Sequence, residues 1–218
     1  MGSDSSFVPI QGRRLPLWLK ITYTVFVCVL VPYYLHQYGP LNFLWFCDVA
    51  LLMTLAALWL ESALLAGMGA VGIALPQLLW AVDFVVRLTT GQHVVNLTEY
   101  MFDADKPLFV RGLSLFHGWL PFLLLWMVWR LGYDRRALAF QIMACWLDLL
   151  LCYLLVDDPA GPAENVNKIF GPSDSAPAAQ ANPSWIIVLM VLYPLCLYVP
   201  THFLLRRLMP QRAPDSAS

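Results

Sequence analysis

Six stretches of this chain stay apolar for long enough to cross a hydrocarbon core about 30 Å thick, at about 1.5 Å of rise per helical residue. They run approximately Leu17 to Tyr34, Asn42 to Leu60, Ala63 to Thr89, Leu108 to Trp129, Ala137 to Val156 and Trp185 to Leu205. Lipid offers backbone N–H and C=O groups no partners, so a chain of this kind must form helices or a closed barrel. The runs are continuous and do not alternate with period two, which selects helices. The expected fold is all-α: a polytopic transmembrane helical bundle of about six spans. It should comprise a polar leader over residues 1–16, a single bundle over 17–206 and a tail over 207–218. Pro76 lies near the middle of the long third stretch, and a break there would add a seventh crossing.

Composition agrees with a membrane setting. Of 218 residues, 60% are hydrophobic and 12% charged, against roughly 25% charged in soluble domains. The net charge of −1 is spread without a long basic or acidic block, so nucleic acid is not an expected partner and membrane lipids are. All five cysteines, Cys28, Cys47, Cys145, Cys152 and Cys196, fall in apolar stretches and none forms a Cys-x-x-Cys pair. That argues against a disulfide framework or a structural metal, and no cofactor is expected. The Met-Gly-Ser-Asp-Ser-Ser start fits the loose myristoylation pattern, but six spans need no lipid anchor.

Cytoplasmic flanks of membrane helices collect Lys and Arg. Nine of the thirteen basic residues, Arg13, Arg14, Lys20, Arg130, Arg135, Arg136, Arg206, Arg207 and Arg212, fall on one side of a six-span layout. Both termini are therefore expected in the cytoplasm, with the bacterial inner membrane as the expected location. The connections Thr90 to Pro107 and Asp157 to Ser184 then lie outside. The first carries a patch, Tyr100-Met101-Phe102, suited to lying along the interface, and the second reads as a mobile loop rich in Pro, Ala and Ser.

An ionisable side chain inside a span costs at least a few kcal/mol unless it faces the bundle interior, so each one is a functional candidate. Counted from the outer end of each span, Asp48 and Asp83 lie about 9 Å deep, Asp148 about 12 Å and His117 about 14 Å. Trp45, Trp80 and Ser114 each sit three residues before one of these groups, and Cys47 adjoins Asp48. The pattern predicts an outward-facing polar cavity. Its catalytic candidates are His117, Asp48 and Asp83, and its substrate-binding candidates are Trp45, Trp80, Arg87, Asp148, Ser114 and Cys47. Each also has a structural alternative: Asp83 and Arg87 can pair at i, i+4, Asp148 can fasten helices, and Ser114 can bond the carbonyl one turn back.

A buried histidine beside carboxylates suits general-base acyl transfer or ester hydrolysis. The same set could bind a cation, proton or small polar solute in a transporter or sensor, or serve only to hold helices or a partner together. Cys47, Ser114 or an activated water is the available nucleophile.

Two motifs add to this reading. The run Tyr38-Gly39-x-x-x-Phe43-Leu44-x-Phe46-x-Asp48, and Phe102-Asp103 leading to His117-x-x-x-Pro121, resemble the androgen-inducible family of membrane hydrolases. Those are six-span proteins that cleave fatty-acid esters of hydroxy fatty acids, using a threonine in span two and a histidine in span four. The resemblance implies lipid chemistry with His117 as the family histidine, while Trp45 occupies the threonine position. The sequence is also similar to a group of bacterial six-span integral membrane proteins with no assigned activity.

Overall fold

The computed structural model describes residues 15–155, 165–172 and 182–212, and most of these are helical. In chain order the helices are α1 (Leu17–Tyr38), α2 (Phe46–Leu60), α3 (Ala63–Thr90), α4 (Leu108–Ser114), α5 (Phe116–Leu131), α6 (Ala137–Leu155), α7 (Pro183–Tyr193) and α8 (Val199–Leu208). α4 and α5 form one rod from Leu108 to Leu131, and α7 and α8 another from Pro183 to Leu208, joined by a π turn at Pro194–Tyr198. The result is an all-α bundle of six alternating rods.

Five rods are long and apolar enough to cross a membrane. α2 is shorter, because Pro40–Leu44, expected to lie partly within the second span, forms a separate 3-10 turn that ends at Trp45. Large apolar side chains point outward on every rod, among them Trp18, Leu60, Leu108, Phe122, Leu147 and Ile187. A soluble bundle would bury that surface, whereas lipid accepts it. The protein is an integral membrane protein.

α3 is the central rod and packs against α2, α5, α6 and α8. Its first half is built from small residues, which let neighbouring backbones approach. A Cβ added at Gly67 would stand 2.9 Å from Ala137, one at Gly69 2.9 Å from Leu124, and one at Gly72 2.5 Å from the Gln141 amide. Pro76 does not break the helix. It forfeits one hydrogen bond, to the Gly72 carbonyl, while packing against four neighbouring rods keeps the helix continuous, so the third stretch makes a single crossing among the described residues.

The lower end of the bundle gathers the 61–62 and 132–136 turns and residues 209–212. Lys20 pairs with Glu61 at 2.6 Å, and Asp134 with Arg136 at 2.8 Å. The Arg136 hydrogen bonds hold the Asp134 carboxyl below its ordinary range. Residues 210–212 lie alongside Tyr133, whose N–H donates to the Pro210 carbonyl and whose carbonyl accepts from Arg212. The upper end carries the 39–45, 91–107 and 165–172 connections, and the candidate residues lie beneath them.

Candidate functional site

Asp83 has no exposed surface, and it is saturated. α3 stops at Gly91, whose left-handed backbone (φ 75°) turns the chain back over the bundle. Asn96, also left-handed at φ 58°, then curls residues 93–98 so that their amides converge. Oδ1 of Asp83 accepts from the N–H of Val94 (2.7 Å) and Val95 (2.9 Å). Oδ2 accepts from the N–H of Leu97 and Thr98, from the Thr98 hydroxyl at 2.7 Å, and lies 3.2 Å from His93 Nδ1. A carboxylate inside a nest of amides is the natural way to seat a loop into an apolar bundle. Arg87 does not pair with Asp83. It bonds the Gly91 carbonyl at its own helix end and lies over the Phe102 ring.

Asp148 has a similar task on α6. Its Oδ2 accepts from Asn167 Nδ2 at 2.8 Å. Asn167 is a left-handed residue (φ 49°) that also donates to the Leu44 carbonyl and accepts from the Phe46 N–H. Its own carbonyl accepts from the Tyr193 hydroxyl. Val166, Ile169 and Phe170 are buried around it. The part of this connection within the described residues, 165–172, is therefore a seated plug rather than a mobile loop. The rest of the connection lies outside them.

Asp48, in the first turn of α2, is buried but poorly bonded. Oδ2 accepts from Asn42 at 3.3 Å and from the Cys47 thiol at 3.8 Å, and Oδ1 has no hydrogen-bond partner. Asp48 and Cys47 lie within electrostatic reach of the phenols of Tyr34 and Tyr100. Trp45 contributes its backbone, accepting the first N–H groups of α2 from Asp48 and Val49.

His117 is set by a defect in its own rod. The helix breaks at Leu115, and Gly118 donates its N–H to the Leu115 carbonyl, which leaves the Ser114 carbonyl without its usual partner. His117 Nδ1 fills the vacancy at 2.7 Å. A carbonyl can only accept, so Nδ1 carries the proton and Nε2 presents a lone pair. The ring stacks on Trp80 with centroids 5.3 Å apart and lies 4.1 Å from Phe116. Trp80 in turn donates Nε1–H to the Tyr100 oxygen at 3.2 Å. The expected interfacial patch is thus folded onto α3, with Met101 buried and Phe102 against Phe84.

Ser114 donates to the Val110 carbonyl at 3.1 Å, so the Tyr34 hydroxyl, 2.7 Å away, is the donor to Ser114. The serine proton points away from His117, and the two do not form a nucleophile–base dyad. The structure therefore brings Asp48, Cys47, Ser114, Trp80 and His117 into one neighbourhood. It commits Asp83, Asp148 and Arg87 to other partners. Sequence alone does not single out Tyr34, which reads as a belt residue at a span end, Tyr100, which reads as part of an interfacial patch, or Asn42, which stands at the expected start of span two. Among the described residues, no group of three or more His, Cys, Asp or Glu side chains is arranged to hold a metal ion.

No protein-family model matches this sequence, and comparison with curated proteins and with solved structures found no match.

Proposed function

We propose that this protein is a lipid-directed hydrolase or acyltransferase of the bacterial cytoplasmic membrane, with both termini inside and the His117 site facing outward. The observation that carries the reading is the fixed tautomer of His117, which leaves Nε2 as an unengaged base on a ring stacked against Trp80, whose indole in turn bonds Tyr100. In hydrolysis, Nε2 takes a proton from water and the resulting hydroxide adds to an ester carbonyl. The proton then passes to the departing alkoxide as the carbon–oxygen bond breaks. An alcohol in place of water gives acyl transfer. Tyr100 accepts from Trp80 and keeps its own proton to offer a developing oxyanion. Asp48 lies within electrostatic reach of Tyr100.

A second reading rests on the unbonded Oδ1 of buried Asp48: a transporter or sensor that takes a cation, proton or small polar solute there.

The test uses full-length protein in lipid nanodiscs with a panel of ester lipids, following released fatty acid by mass spectrometry. Release that His117→Gln abolishes without lowering the melting temperature supports the enzyme. Equal release from wild type and variant overturns it. No release, together with Asp48-dependent thermal stabilisation by a solute, favours the second reading.

A further inference from the structure

A second polar region runs along α6, apart from His117. Gln141, Cys145, Asp148 and Cys152 recur every three or four residues, so they form one stripe about 16 Å long, and all four are buried. The stripe faces the rod that holds the π turn. Pro194 and Pro200 lack N–H groups, and the backbone between them widens to π geometry, a form often found at functional positions. Trp146 Nε1 donates to the Met190 carbonyl, the one Pro194 cannot serve.

The π turn places the Tyr198 hydroxyl beside Cys145 and Gln141. Tyr193 lies near Cys145 and Cys152 above it. One turn below, the ring of His202 lies 2.6 Å from the Tyr133 hydroxyl. Tyr133 adjoins Asp134 and Arg136 at the lower end. Polar groups therefore continue from the upper plug at Asn167 to the lower turn.

Groups that merely fasten helices are normally satisfied by one another. Here Gln141 Oε1 and the Tyr198 hydroxyl are buried and make no hydrogen bond of ordinary length and angle, although the hydroxyl lies close to both the Gln141 amide and the Cys145 thiol. Gly72 is what lets the Gln141 amide lie against α3, since a Cβ there would stand 2.5 Å from it. Buried oxygens left open in line with an acid and a histidine are the arrangement of a proton relay.

We propose that this file carries protons across the bundle, between the Asn167 connection at the upper end and the 132–136 turn at the lower end, by way of Asp148, Tyr198, His202 and Tyr133 with water completing the gaps. Each hop moves one proton from an oxygen or nitrogen to the next, and no electron moves. Asp148 is faced by Asn167, Cys152 and Cys145, and it is the site that holds the proton. His202 is faced by Tyr133, Arg206 and Arg135. In the relay His202 takes a proton on one ring nitrogen as it releases one from the other.

The experiment uses full-length protein in potassium-loaded liposomes with valinomycin and an internal pH dye. The proposal predicts proton entry severalfold faster than in protein-free liposomes, abolished by Asp148→Asn and strongly slowed by Tyr198→Phe. Wild-type liposomes no leakier than empty ones would overturn it. If Asp148→Asn fails to fold, Tyr198→Phe, which removes one oxygen, decides: unchanged flux rejects the relay. Flux without ester hydrolysis upholds the relay while the His117 reading fails, and hydrolysis without flux does the reverse.

Discussion

Asp83 and Asp48 begin as equals and end as opposites. Both sit near the upper ends of neighbouring rods, and both are almost wholly buried. Asp83 accepts from four backbone amides and the Thr98 hydroxyl and meets His93. Asp48 has a long bond from Asn42, a thiol and an open oxygen. A buried charge that is fully bonded is part of the architecture, whereas one that is incompletely bonded is kept at a cost that stability does not explain. The pair shows why depth alone does not assign a role.

The comparison can be broken most forcefully at Asp83. Asp83→Asn turns an acceptor-only group into one that presents N–H to N–H donors, and should destabilise the protein by about 3–5 kcal/mol. Thermal unfolding in nanodiscs measures this, and hydrogen exchange should show residues 93–98 released first. Asn167→Ala comes next. It removes the bonds to Leu44, Phe46 and Asp148 and should cost about 2–3 kcal/mol by the same melt, with exchange rising at 165–172.

Tyr34→Phe sharpens the other side of the comparison. It deletes only the hydroxyl given to Ser114 and should cost about 1 kcal/mol. A much larger loss would mean that the His117 neighbourhood is as tightly built as the Asp83 nest.

The smallest effect belongs to Asp134, outside the spans. Arg136 lowers its pKa in the folded state, so its contribution is present above the ordinary carboxylate value of about 4 and is lost as pH falls through the depressed folded value. Asp134→Asn should lower stability by less than about 1 kcal/mol at pH 7, and the difference from wild type should vanish in acid melts.

The rods were legible because continuous apolar length is a strong signal. The start of α2 was not, since the turn at Pro40–Leu44 is as apolar as a span. Pro76 pointed to a break, but one lost hydrogen bond is small against the packing around α3. The buried acids were legible as a set at shared depth. Their partners were not: Asp83 is held mostly by backbone amides, which leave no mark in residue type, and Asn167 is in a connection whose polar flanks masked a short buried run. The fixed tautomer of His117 depends on a carbonyl freed by a helix break at Leu115, which no residue type in the run marks.

The most direct test of this division is to melt Asp48→Asn and Asp83→Asn side by side in nanodiscs. The account predicts that Asp48→Asn melts at or above the wild-type temperature, because it removes an incompletely bonded buried charge, while Asp83→Asn melts far below it. Equal losses in the two variants would make Asp48 a structural fastening like Asp83, and would contradict the assignment of the site.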